Sequence, residues 1–449
     1  MIQVKLVYDV KDKVPLKKNL VFAFQQLLAI MAATLLVPAL VNSGANPDGT
    51  GINYMNQAAA LCGAGFGTLF YILVTKKLSP VFLGSSFAFI SPLIGAAAFG
   101  YCGIFLGAVF AGLVYALIAA IIKATGSAWV NKLLPPVVIG PTVALIGLSL
   151  CGSAVGNLKN NGVNPDYELV YILLGIIAFF ITVWASVKGG KRLSMVPFII
   201  GILGAYVIGL ILTFCGIPVV KLDAFKDMKI FEVPKFTFLG MFGAYEEDAK
   251  TITSFADVLN IFVLFAPVAF VVLAEHIADH KNLGSIINRD LITEPGLHRT
   301  LIGDGIGSIL GSFFGGCPNT TYGESVGCVA ITGNASVSTI IVAAIYCIIL
   351  SFFHPFVCFV NSIPDCIVGG ACIALYGFIA VSGLKMLQPV DLGDNRNLFV
   401  AAAIFVLGIG GLTLNFGAVQ ISAIATALIV GILVNVIFNK RSKEEKETK

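Results

Sequence analysis

The chain has 449 residues, of which 57% are hydrophobic and 12% charged, about half the charged share of a soluble domain. Its mean hydropathy of +0.94 leaves too few polar side chains to coat a surface in water, which excludes an ordinary cytosolic enzyme and a disordered chain. The 28 Lys and Arg against 24 Asp and Glu give a net charge of +4 with no basic stripe to track phosphates, so no nucleic-acid partner is expected. The ten cysteines, Cys62, Cys102, Cys151 and Cys347 among them, stand singly in apolar stretches without CxxC or a nearby His at ligand spacing. They read as small core residues rather than disulfides or metal ligands, and no cofactor is expected. The solvent that suits this composition is a lipid bilayer.

A membrane span needs about 20 apolar residues. In chain order the candidate segments are 19–42, 53–75, 81–97, 101–122, 134–156, 169–187, 195–217, 257–279, 300–316, 320–333, 335–354, 364–384, 398–414 and 417–438. Those at 81–97, 300–316 and 320–333 are shorter or interrupted; with them the total is about fourteen crossings. The first segment is too long for a cleaved signal and has no small-residue cleavage site behind it, so it reads as a retained span. Alternate connections carry the cations: Lys5, Lys17 and Lys18, then Lys76, Lys77, Lys123, Lys188, Lys281, Arg289, Arg299, Lys385, Lys440 and Lys449. The opposite side has Lys159 and one long loop whose lysines, Lys221 to Lys250, are mixed with Asp223, Asp227 and Glu232. An even number of spans with this bias places both termini in the cytoplasm.

Pro135 to Gly140 and Pro364 to Gly369 open the fifth and twelfth segments with the same Pro-to-Gly spacing. Segments seven apart insert in opposite orientations, the arrangement of an inverted repeat; convergent helix-start chemistry is the alternative. The division this gives is 1–217 for a first repeat, 218–256 for an outer connecting loop, 257–438 for a second repeat and 439–449 for a cytoplasmic tail. The third and tenth segments, also seven apart, hold Gly84 to Pro92 and Pro318 to Gly327, rich in Gly, Ser, Thr and aromatic residues. Paired interrupted segments point to a transporter's binding site; close helix contacts through small residues are the plainer reading.

Acids inside the membrane are costly and functional by default. Glu275 ends an apolar run and shares a helix face with Asp279, four residues on. Two carboxylates so placed repel unless a proton sits between them, which suits a proton site. His280 reads as a solvated helix-end residue beside Lys281, and Asp279 is open between that fate and a membrane role. Glu324, between Gly323 and Ser325 with Tyr322 adjacent, has no Lys or Arg in a nearby span to pair with. Carboxylates that accept from ring N–H groups, freed backbone amides that donate to ring carbonyls, and the faces of Phe87 or Tyr322 together suit a flat neutral heterocycle. Asp304, in Gly303-Asp304-Gly305-Ile306-Gly307, lies in an apolar span with no preceding strand. The motif therefore reads as a helix-packing segment with a polar-network role open to Asp304, not as a dinucleotide loop.

The stretches Gly84 to Pro92 (GSSFAFISP), Ala274 to His280 (AEHIADH), Pro295 to Arg299 (PGLHR) and Pro318 to Gly333 (PNTTYGESVGCVAITG) occur in order on this span plan. Over nearly its whole length the sequence resembles the uracil-transporting branch of the nucleobase–ascorbate transporter family. The resemblance implies an all-α polytopic membrane protein of about fourteen segments in two inverted seven-span repeats. A core domain would comprise spans one to four and eight to eleven, a gate domain spans five to seven and twelve to fourteen, with short antiparallel strands in segments three and ten. It further implies a proton-coupled uracil importer of the cell membrane, not an enzyme, and a homodimer through the gate domain. Position by position, Glu275, Glu324, Phe87 and Gly323 would hold the pyrimidine, and Asp279, Tyr322 and Ser325 would join Glu275 in the proton network.

Three departures bear on that network. Ser325 stands where the family signature usually has Asn, Gln25-Gln26 replaces a common Gln-His pair, and Asp279 occupies a position where a relay His is found in one member. Purine, xanthine or ascorbate carriage on the same scaffold is the nearest rival reading. An anion transporter would want a cation at the site, and none is visible. An intramembrane enzyme built on Glu275, His276 and His280 would need a metal triad or an activated nucleophile.

Overall fold

The long apolar runs form helices because a backbone deprived of water must satisfy its own hydrogen bonds. The computed structural model describes residues 6–46, 51–159, 167–194, 196–245, 252–416 and 419–447. Lys5, Lys250 and Lys449 of the charge pattern lie outside the described residues.

Helix α1 spans Leu16–Ala45 and α2 Gln57–Val74; strand β1 covers Leu83–Ser85, followed by a 3-10 turn at Phe87–Phe89 and α3 at Ile90–Ala96. Then come α4 (Gly100–Thr125), α5 (Ala128–Leu133), α6 (Pro136–Ser149), α7 (Cys151–Lys159), α8 (Glu168–Lys188), α9 (Gly190–Leu193), α10 (Pro197–Phe214) and α11 (Thr237–Met241). The second half runs through α12 (Phe255–Ile287), α13 (Leu297–Gly315), β2 (Asn319–Thr321), α14 (Gly323–Thr332), α15 (Val337–Ser351) and α16 (His354–Ser362). It closes with α17 (Asp365–Lys385), α18 (Asn395–Ile409), β3 (Leu414–Phe416), β4 (Val419–Ile421) and α19 (Ala423–Glu447).

Each expected segment coincides with one or more of these elements. Among the described residues eight helical stretches are long and apolar enough to cross a membrane, and three shorter apolar helices follow α14. Besides α19, which runs on to Glu447, nine residues past the expected 438, three boundaries differ most from the sequence reading. The fifth segment is broken into α6 and α7 at Leu150. The thirteenth stops at Ile409, because Gly410 and the positive φ of 72° at Gly411 end the helix; the β3–β4 hairpin follows. Helix α12 continues to Ile287, eight residues past the expected 279. Its start is sharp because Ser254 and Asp257 form a reciprocal capping box that satisfies two amides left open at a helix start.

Cys62 and Cys347 are buried, as small core residues should be, whereas Cys102 is half-buried and Cys151 exposed. Pro135 and Pro364 occupy equivalent places, each with extended backbone immediately before α6 and α17, and those two helices pack on each other.

The helices pack in two groups. In the first, α13 lies against α2 and α4, α15 against α2 and α1, and α12 against α4. In the second, α17 lies against α6, α7 and α8, α10 against α8, and α18 against α19 and α6. Helix α12 touches α6 and α19 across the divide, and α1 touches α10. The reading of the Gly303–Gly307 run as a packing segment holds: a Cβ on Gly305 would lie 3.1 Å from the Gly112 carbonyl oxygen of α4.

Candidate functional site

Strands β1 and β2 form a two-stranded antiparallel ribbon, with Leu83 opposite Thr321, Gly84 opposite Thr320 and Ser85 opposite Asn319. The ladder is extended by the Ser86 amide, which donates to the Pro318 carbonyl at 3.0 Å, and the Tyr322 amide, which donates to Phe82 at 3.2 Å. Such a ribbon has two outer edges whose backbone groups need partners inside protein. Side chains supply them. Thr68 of α2 accepts from the Leu83 amide at 3.0 Å and donates to the Leu83 carbonyl at 3.3 Å. Ser308 of α13 donates to the Asn319 carbonyl at 2.7 Å. The Tyr322 hydroxyl reaches back across the ribbon to the Ser85 carbonyl at 2.7 Å.

Gly84 is required by this crossing, because a Cβ there would fall on the Tyr322 ring and lie 2.9 Å from Thr34 Oγ1. Gly84→Ala should destabilise the protein by about 1–3 kcal/mol, the usual cost of overpacking. A thermal midpoint equal to wild type in detergent would contradict it.

Beyond the ribbon lies one small cavity lined by Ser86, Phe87, Glu275, Asp279, Thr320, Thr321, Tyr322, Gly323 and Glu324, with Ala278 completing the α12 wall. All seven sequence-predicted site residues lie at or next to it: six line the wall, and Ser325 is buried directly behind Glu324. On α12, Glu275, Ala278 and Asp279 are half-buried while His276, Ile277 and His280 are buried, the stripe expected of one helix face turned to a cavity. Glu324 sits in the first turn of α14, where the helix dipole and unpartnered amides favour an anion. Asp279 is anchored by the Thr321 hydroxyl, which donates to Oδ2 at 2.9 Å. Phe87 meets the Tyr376 ring edge-on, with centroids 5.7 Å apart. Among the described residues no ion pair involves Glu275, Asp279 or Glu324. Among the described residues the buried Ser86 hydroxyl has no hydrogen-bond partner.

The opposite wall was missed by the sequence reading. It consists of Val143 of α6 and Phe378, Ile379, Ser382 and Met386 from α17 and its end. The signal was the matched openings at Pro135 and Pro364: they single out α6 and α17, and the spacing 378, 382, 386 marks one helical face.

The solvated reading of His280 is corrected. It is fully buried because α12 runs on past it; its Nδ1 bonds to the His276 carbonyl at 2.8 Å and its Nε2 to the Tyr71 hydroxyl at 2.7 Å. His276 bonds Thr300 at 2.9 Å and approaches Asp304 Oδ2 at 3.5 Å, both fully buried. Asp304 thus belongs to a buried polar group behind the site and does not line the cavity. A second, larger and mostly apolar cavity shares Glu324 and Phe378 with the first, running between α1, α8, α10, α14 and α17 past Val187, Gly327 and Ile331.

Known proteins bear out the family resemblance. The chain is 39% identical over 441 residues to the uracil permease of Bacillus caldolyticus, covering 97% of this chain and 96% of that one. It is 38% identical over 436 residues to the uracil permease of Bacillus subtilis (strain 168), covering 95% and 94%. In fold it is similar to the murine Solute Carrier 26 family member A9 anion transporter in the inward-facing state, at a TM-score of 0.65 and 11% identity over 96% of this chain and 69% of that one. These relatives are permeases rather than enzymes, and residues 17–417 match the model described as the Permease family: the chain is a multi-pass membrane protein of that family.

Proposed function

We propose that this protein imports uracil together with a proton. The observation that carries the reading is the convergence of Glu275 from α12 and Glu324 from α14 on one cavity that ends at the β1–β2 ribbon. Relatives named uracil permeases agree with it. Uracil is planar and offers two N–H donors and two carbonyl acceptors. The carboxylates of Glu275 and Glu324 accept from the ring N–H groups. The first amides of α14 at Gly323, the backbone at Phe87 and the unpartnered Ser86 hydroxyl donate to the carbonyls, and the Phe87 ring covers a face.

The proton occupies the Glu275/Asp279 group, with Tyr322 and Ser325 in the surrounding network. A proton from outside neutralises one acid, uracil then binds, and the neutral loaded core moves against the gate. Only a difference in binding between the two facing states drives that movement. The first packing group, with the ribbon, is the core and the second is the gate. The two halves are inverted repeats, and the gate carries the contact of a homodimer. Both termini are cytoplasmic, in the cell membrane.

Labelled-uracil uptake into proteoliposomes, with proton and sodium gradients imposed separately, tests the reading. Uptake is driven by the proton gradient and competed by unlabelled uracil. Competition by xanthine but not uracil would move the substrate to purines.

The larger apolar cavity is the release path. A Cβ on Gly327 would meet nothing within 4 Å, so Gly327→Leu fits the fold while filling the passage. Uracil binding should stay within about twofold of wild type, since no contact to the base is touched, while uptake falls at least about tenfold. Normal uptake by a variant confirmed to be folded would exclude this route.

A further inference from the structure

We propose that Gln26 and Ser325 form one coupled positioning unit that sets how tightly the site holds its pyrimidine, each residue fitted to the other. The inference rests on the reading that Glu324 binds the base.

Ser325 follows Glu324 and is fully buried. Gln26 of α1, also buried, donates from Nε2 to the Ser325 hydroxyl oxygen. The Phe82 amide donates to the same oxygen at 3.1 Å. A hydroxyl oxygen has two lone pairs, and both are taken up. Three chain segments therefore meet at one atom: the middle of α1, the residue leading into β1 and the first turn of α14.

Phe82 is bonded on both sides of Glu324. Its amide donates to Ser325, and its carbonyl accepts the Tyr322 amide at 3.2 Å. Glu324 thus hangs between two residues tied to a single backbone unit, and that unit is tied through Ser325 to α1. Any shift of the Ser325 oxygen moves the carboxylate next to it. A binding group must be held within about 0.5 Å of its working position to keep its affinity.

Gln26 and Ser325 are also two of the positions at which this chain departs from the pattern its motifs resemble, and the fold brings them into contact. The serine acceptor lies one bond nearer its backbone than an asparagine acceptor would. The glutamine, with three rotatable bonds where a histidine has two, reaches in to meet it. Asparagine at 325 would push into the space the Gln26 amide fills; histidine at 26 would place a rigid ring where the short serine cannot follow. Each exchange alone mismatches the pair, and both together restore a match. Neither side chain titrates near neutral pH, so this contact itself adds no pH dependence to binding.

The test is a double-mutant cycle on the full-length protein: Gln26→His, Ser325→Asn and the two combined. Uracil dissociation constants are measured by calorimetry, KM and Vmax in proteoliposomes, and thermal midpoints in detergent. Each single variant should raise both Kd and KM about tenfold, within the range of coupling between residues in contact. The double variant should return to within about threefold of wild type. Single effects that simply multiply in the double variant would overturn the pairing. Gln26→Met keeps the length of the side chain and removes the donor; it should lose the same affinity at an unchanged thermal midpoint, and wild-type affinity in it would overturn the proposal without the cycle. If wild type itself binds no uracil, the substrate reading fails and takes this inference with it. A wild type that binds uracil but shows an additive cycle rejects the pairing alone.

Discussion

Glu324→Gln should abolish concentrative uracil uptake and weaken uracil binding at least about fiftyfold, some 2–3 kcal/mol, the worth of a hydrogen bond to a charged acceptor. The substitution preserves shape, so the packing of α14 is retained and the loss is read from chemistry alone. The carboxylate accepts through both oxygens, whereas the amide presents an NH2 donor on one side. With that donor facing a ring N–H, two donors meet in a confined cavity and neither finds an acceptor. The amide is also a weaker partner for the positive end of α14. Calorimetry on purified protein with a thermal-midpoint control reads the result. Binding within about threefold of wild type would remove Glu324 from the site.

On the proposed mechanism, Asp279→Asn should uncouple transport from the proton gradient while leaving exchange intact. The Thr321 hydroxyl donates to Asp279 Oδ2, and the asparagine carbonyl oxygen accepts the same bond, so the anchor between α12 and the ribbon survives. What disappears is a carboxylate four residues from Glu275 on the same face, hence the need for a proton between the two acids. With one pH unit imposed, one-proton symport by wild type accumulates uracil up to about tenfold, because one unit is 1.36 kcal/mol. The variant should equilibrate uracil without accumulating it, at a counterflow rate within about fivefold of wild type. Accumulation equal to wild type would place the coupling proton elsewhere, and Glu275→Gln would then be the next variant to examine.

The cavity wall from α12 and α14 was legible because lipid imposes a severe filter. A carboxylate inside an apolar span stands out against its surroundings, and a run such as Gly84 to Pro92, which cannot stay helical, stands out against unbroken helices. Glu275 and Glu324 were found this way and Phe87 was offered as a stacking face from the interrupted run, whereas Gly323 came from the family resemblance; all four line one cavity. The facing wall was not legible in the same way. Val143, Phe378, Ile379 and Met386 are ordinary apolar residues of ordinary apolar helices, chemically indistinguishable from neighbours that face lipid. Thr68 and Ser308, which close the edges of the ribbon, were hidden for a related reason: hydroxyl residues are common in spans, and what they bond depends on which helix lies opposite.

His280 marks the other limit. Next to Lys281, where an apolar run gives way to charge, it had the pattern of a solvated helix end. The fold extends α12 onward and lays Tyr71 of α2 against the ring, so a partner 209 positions away in the chain decides its burial. Composition and hydropathy alone determined that this is a multi-pass membrane protein. Its motifs brought the family and the acids within reach, because the cost of polarity in lipid is local and is written residue by residue. Which helices face each other across the cavity, which hydroxyls seal the strand edges and which buried side chains meet, as Gln26 meets Ser325, were decided only by tertiary packing. Those contacts depend on the relative placement of distant segments, about which a hydropathy pattern carries no information.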